Sequence, residues 1–146
     1  MTRSIRVSRT LPYTAHEIWT ALVDPDELRE WFCDNDFQPA VGHKFRFRDR
    51  PRMGWNGIME CEVLVVDPPR TLSYSFKSNM LKDTIVTILL EPDGDGTRVV
   101  IEHAGFRGIG EWFVSHMLRG GWGKMLRVRL PAVLVARRST VEKARV

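Results

Sequence analysis

Thr14-Ala15-His16-Glu17 and Asp24-Pro25-Asp26-Glu27 are two helix-start signals ten residues apart. In each, the first side chain can accept the amide of the fourth residue, and Glu17 or Glu27 can reach back to the cap's own amide. Pro25 stands at a first helical position, where its missing N–H costs nothing. Tyr13 opposite Ile18, and Val23 opposite Leu28, supply hydrophobic staples. The spacing leaves the first helix about two turns. Ile18, Trp19 and Leu22 form its apolar stripe; Leu28, Trp31 and Phe32 form the next. Two short helices notched between strands narrow the folds open to this chain.

Strand patterns surround the pair. Ile5, Val7 and Leu11 alternate with Arg6, Ser8 and Thr10, and Arg9 falls on the apolar parity. Arg9 therefore snorkels, marks an irregularity, or points into a polar spot inside the fold. Further on, Phe45 and Phe47 alternate with Lys44, Arg46 and Arg48. Met59, Cys61, Val63 and Val65 oppose Glu60 and Glu62, and Leu72, Tyr74 and Phe76 oppose Ser73 and Ser75. Residues 84–90 are nearly all apolar, as a central strand requires. A Pro-Asp-Gly-Asp-Gly turn separates them from a strand with Val99, Ile101 and His103 on one parity.

The period changes at Glu111. Phe113, Met117, Gly121, Met125 and Val128 recur every three or four residues, so they are expected to face the sheet. Leu118, Trp122 and Leu126 form a second apolar side that leaves room for a homodimer or another partner. Pro131 should kink or end this helix. From Arg119 onward there are eight Lys or Arg and one acid, within a net charge of +4. A solvated helix face and a basic tail over residues 137–146 explain that run, and residues 1–136 form one domain.

Strand, two short helices, an antiparallel strand series and a long C-terminal helix read as an α+β fold. A curved antiparallel sheet of about six to seven strands would wrap around that helix. One helix rarely fills a wide curved sheet, so a cavity is expected, closed at one end by the short helices.

Several segments then carry a family resemblance. They are 14–22, 24–28 with Trp31-Phe32, Val41-Gly42, Asp67-Pro68-Pro69-Arg70-Thr71-Leu72, Gly96-Thr97-Arg98-Val99, His103-Ala104-Gly105-Phe106 and Gly121-Trp122. In order and spacing they resemble the START-like (SRPBCC) helix-grip superfamily, and most closely its branch of homologues of the activator of heat-shock protein 90 ATPase. The resemblance implies the helix-grip fold and a hydrophobic, lipid-type binding cavity. The branch name implies a chaperone partner and a place in the stress response.

The expected cavity wall is Trp31, Phe32, Phe47, Trp55, Met59, Cys61, Tyr74, Phe76, Val86, Ile88, Phe113, Met117 and Gly121. Arg9, Tyr74 and His103 are its polar groups. His103 either orients a ligand or is a hydrogen-bonded structural histidine, because no carboxylate or nucleophile partner follows from spacing. No catalytic residue is assigned, although a cyclase or hydrolase acting on a hydrophobic substrate stays open. No metal or cofactor is expected, since the four histidines share no ligand spacing with Cys33 or Cys61. The Lys44, Arg46, Arg48, Arg50, Arg52 ladder lacks exposed interleaved aromatics, so nucleic acid is not expected. Charge guarding an edge strand explains it better. Two cysteines without CxxC spacing, no membrane-span-length run and an N-terminus unlike a signal peptide point to a reduced, cytoplasmic setting.

Overall fold

The computed structural model describes residues 2–144. One seven-stranded antiparallel sheet runs in the order β1-β7-β6-β5-β4-β3-β2. The strands are β1 (Thr2–Leu11), β2 (Asp34–Asn35), β3 (Lys44–Arg48), β4 (Ile58–Asp67), β5 (Thr71–Ser78), β6 (Leu81–Asp93) and β7 (Gly96–Arg107). Helices α1 (Ala15–Val23) and α2 (Pro25–Trp31) follow β1, and α3 (Gly108–Lys124) follows β7. A π-helical turn, Met125–Arg129, joins α3 to α4 (Leu130–Ala144). This is the helix-grip architecture expected from the sequence.

The alternating apolar residues of β3 to β7 become one inner face. Phe47, Val63, Val86 and Val99 are all fully buried on it. A bulge between Val63 and Val65 shifts the β4–β5 register. Side-chain direction alternates along a strand, so one extra residue reverses the parity beyond it. Val65 therefore points outward, contrary to the simple alternation, and Val66 packs against the core.

The capping signals are realised unequally. At α1 the box is complete, with the Thr14 hydroxyl accepting from Glu17 N–H and the Glu17 carboxylate accepting from Thr14 N–H. At α2, the Asp24 side chain accepts from Asp26 and Glu27 N–H. The Asp24 N–H, however, donates to the Thr20 carbonyl as the end of α1. Glu27 has no cap amide left to accept and pairs instead with Arg137 of α4. One residue closes a helix and opens the next, so the second box can only be half made.

The C-terminal helix differs from expectation in rotation and in length. Its buried face is Glu111, Ser115, Trp122, Leu126, Leu130 and Leu134. The expected stripe lies outside, with Phe113 60% and Met117 73% exposed and Gly121 also in solvent. Glu111 accounts for the rotation. Its carboxylate accepts the Lys82 N–H at 2.9 Å and the Arg107 N–H at 2.8 Å, which ties this side of α3 to the sheet. A buried carboxylate looks like a wet residue in sequence, although here it serves as an anchor.

From Trp122 the buried residues recur every four. In a regular α-helix that spacing drifts about 40° per step, because each residue turns 100°. The π turn, with Leu130 N–H donating to the Met125 carbonyl, adds a residue and restores the face. It also precedes Pro131, which has no N–H to give. The helix continues through residues 137–144 instead of ending or releasing a tail there.

Candidate functional site

The space between sheet and helix is lined mostly by aromatic rings. Phe32, at the end of α2, stacks on Trp122 of α3 with centroids 5.0 Å apart, and meets Phe47 of β3 edge-on at 4.5 Å. Phe47 reaches Tyr74 of β5, and Phe45 joins the same cluster. Beyond Trp122 lie Phe76, His103 and Phe106, with His103 4.6 Å from Phe106 and 4.9 Å from Phe76. Trp31 is held from behind by its indole N–H donating to the Ala21 carbonyl at 2.8 Å. The rings touch one another and form a packed aromatic core.

Two polar groups inside it differ in kind. Trp122 Nε1–H donates to His103 Nδ1 at 3.2 Å. His103 must then carry its proton on Nε2, which donates to Thr84 Oγ1 at 2.8 Å, while the Thr84 hydroxyl donates to the Phe76 carbonyl. Burial pushes the His103 pKa down to about 3. Both ring nitrogens are used inside the protein, so the histidine is a link between helix and sheet. Tyr74 is only 2% exposed; the buried side-chain polar atom without a hydrogen-bond partner among the described residues is instead Arg3 Nε, outside this cluster. Burial raises its pKa, and the nearby Cys61 and Cys33 thiols act in the same direction. Burial also pushes the Cys33 thiol up to about 12 and raises that of Cys61. The aromatic core is therefore neutral.

Of the expected wall, Trp31, Phe32, Phe47, Met59, Cys61, Tyr74, Phe76, Val86, Ile88 and His103 are buried together. Trp55 is half-buried in the β3–β4 turn, where it pairs with Arg52 and packs against the margin of the core. Phe113, Met117 and Gly121 leave the wall because Glu111 fixes α3 the other way round. Arg9 leaves it too. It lies opposite Val99, but near the end of the edge strand, where its side chain opens to water. The residues that sequence reasoning left out of the wall are Phe45, Phe106, Trp122 and Leu126. The Trp122–Leu126–Leu130 spacing was the available signal; the π turn hid its register.

The outer face carries a groove of about 620 Å³ lined by Lys44, Arg46, Arg48, Glu60, Glu62 and Lys77, among others. Cations and acids alternate there, as in the Arg46–Glu60 pair at 3.3 Å, which leaves no uniform phosphate track. Among the described residues no group of three or more His, Cys, Asp or Glu could hold a metal ion, and no helix is long and apolar enough to cross a membrane.

The family model described as Activator of Hsp90 ATPase homolog 1-like protein matches residues 12–134. The chain is similar to the crystal structure of protein MLL2253 from Mesorhizobium loti, with 32% identity and a TM-score of 0.82, covering 92% of this chain and 98% of that one. It shares its fold with DynU16, described as a protein in the dynemicin biosynthetic locus, at 22% identity and TM-score 0.74, covering 90% of this chain and 46% of that one. It shares it also with the Aha1 dimer from Colwellia psychrerythraea, at 20% identity and TM-score 0.72, covering 85% of this chain and 90% of that one. No curated protein matches the sequence.

Proposed function

The chain belongs to the Activator of Hsp90 ATPase homolog 1-like family, and from that premise we propose that it binds a small apolar or amphipathic molecule between sheet and helix. The observation that supports this reading is the cluster of aromatic rings that α2, α3 and the sheet bring together, with the Tyr74 hydroxyl as a polar group among them. A ligand's polar atom would hydrogen-bond the Tyr74 hydroxyl. Apolar walls supply affinity and the single polar contact supplies orientation. Entry requires Phe32 and Trp122 to part. Phe32 sits at the non-helical end of a seven-residue helix, and Trp122 lies one turn before the π turn, so both can move without breaking a long regular element.

The chemistry favours binding over turnover. His103 spends both nitrogens on Trp122 and Thr84, which leaves no ring nitrogen for proton transfer with a bound molecule. The two buried free cysteines fit a reducing, cytoplasmic setting. The family description supports a chaperone as a further partner, and the Colwellia dimer supports a second copy of this chain.

The test pairs native mass spectrometry of protein from its own host with titration by an aromatic alcohol and its deoxy analogue, read by tryptophan fluorescence. A retained small molecule is expected. The alcohol should bind about fivefold tighter than the analogue, and Tyr74→Phe should abolish that preference. The reading fails if no bound mass is found and neither compound changes the fluorescence.

A further inference from the structure

One end of the sheet carries features that the chamber does not use. There β3 turns into β4, β5 into β6, and β7 into α3, and hydrogen bonds chain the three junctions together. Asn79 Nδ2 donates to the Gly54 carbonyl at 2.7 Å, and Asn56 N–H donates to Asn79 Oδ1 at 3.2 Å. Glu111 accepts from Lys82 and Arg107 as described above. Each junction leaves an apolar side chain in water: Met53 is 99% exposed, Met80 38% and Ile109 78%. Phe113, one turn along α3, continues the set.

Met53 is the most telling of these. Arg52 and Trp55 pair across a two-residue turn whose central residues, Met53 and Gly54, have φ of 29° and 88°. Positive φ at both positions is the mirror-image hairpin turn, whose first position favours Asn, Asp or Gly. Backbone geometry therefore asks for a different residue, and so does water. A strained backbone position carrying a fully solvated apolar side chain points to a contact outside the fold.

We propose that this end of the protein docks on an anionic lipid bilayer, with Met53, Met80, Ile109 and Phe113 entering the interface. Exposed Arg50, Arg52, Lys82 and Arg107 belong to the same segments, against Asp49, Asp83 and the buried Glu111 carboxylate. Arg52 is shared with Asp49 at 3.5 Å; the cations still outnumber the acids. Cations around apolar tips match an acidic membrane surface. Separate tips on three segments suit a fluid interface, which demands no matching shape, better than the packed centre of a protein interface. The proposal does not depend on what the chamber binds.

The full-length protein is floated with vesicles of phosphatidylcholine alone or with about one third phosphatidylserine. Recovery with the anionic vesicles should exceed the neutral ones about tenfold and fall as salt screens the exposed charges. Arg50→Glu with Lys82→Glu should remove the anionic preference. Ile109→Ser with Phe113→Ser should lower binding about tenfold, with the circular dichroism unchanged. Met53→Asn should lower binding without lowering the melting temperature, which separates docking from folding. Equal recovery on both vesicle types would overturn the proposal, as would unchanged binding by Met53→Asn and the Ile109/Phe113 pair. A dimer broken by Ile109→Ser, in a protein that ignores vesicles, would assign the surface to a second copy instead.

Discussion

The two ends of the sheet are built on opposite rules. At one end, α1 and α2 are clamped by α4. Arg137 pairs with Glu27 and donates to the Glu17 carbonyl at 2.6 Å, while Arg138 grips the Glu17 carboxylate and lies 4.4 Å over the Tyr13 ring. Glu17, which caps α1, and Glu27, which does not cap α2, are thereby each bound by an arginine more than a hundred residues away. At the other end, Met53, Met80 and Ile109 stand partly or wholly in water over a framework of side-chain-to-backbone hydrogen bonds. The first end joins distant segments through satisfied charge. The second spends hydrogen bonds on holding apolar groups outward. An ion pair between two helices fixes a closed structure, whereas an apolar tip in water lowers its free energy only when something covers it.

The clamp predicts the largest effect on stability. Arg137 and Glu27 side chains are 24% and 18% exposed, so removing one partner leaves a charge mostly out of water. Glu27→Ala should cost about 2 kcal/mol in urea unfolding, and Arg137→Ala a similar amount. The double variant should be less destabilised than their sum, because the penalty of the unpaired charge disappears. Glu60→Ala, which breaks the half-exposed pair with Arg46, should cost no more than about 0.5 kcal/mol. Equal costs at Glu27 and Glu60 would erase the contrast with the rest of the surface.

Between the ends, the His103 chain gives stability its pH dependence. The folded state keeps this imidazole neutral down to about 3, whereas the unfolded chain protonates it near 6.5. Between those values the unfolded state binds more protons, so stability is full above 6.5 and falls toward pH 3. The slope approaches about 1.4 kcal/mol per pH unit at its steepest. Glu17 adds a lower window. Its hydrogen bond from Arg138 overcomes the opposing effect of burial and, with Thr14, holds its pKa at about 2, so its contribution is present above 4.5 and lost as pH falls toward 2. His103→Gln should flatten the loss between pH 6.5 and 4.5, and Glu17→Gln should flatten only the lower part. A His103→Gln protein with the parent's full pH profile would mean that the histidine titrates normally in the fold.

The unequal legibility of these regions has physical causes. The sheet and both short helices could be read because alternation and capping are local, and local geometry enforces them. The chamber's sheet side was legible for the same reason, through Phe47, Tyr74, Phe76 and His103. Its helix side was not. Glu111 turns α3 through backbone amides of β6 and β7, a long-range bond that no spacing within the helix encodes. The π turn then restores a four-residue period that a regular helix would have lost. Glu27 had a legible partner in its own capping box and took a different one, because Asp24 serves two helices at once. Where a residue's preferred local bond is already occupied, its tertiary partner decides its role.

The smallest predicted effect is also the sharpest test of the contrast. Met53→Asn changes one solvated side chain at a positive-φ turn position and touches no core residue. Asn adopts this conformation more readily than Met, so the variant should gain about 1 kcal/mol or less. For a domain of this size that is a rise of about 2–4 °C in Tm at most. At the clamped end, sequence and stability agree, and every substitution that breaks a pair should lower Tm. At the apolar end, a residue that folding does not favour is kept at the tip of a turn. A gain in Tm from Met53→Asn, measured beside the loss from Glu27→Ala, would show that the two ends answer to different demands. If Met53→Asn instead lowers Tm, Met53 serves the fold and the contrast between the ends collapses.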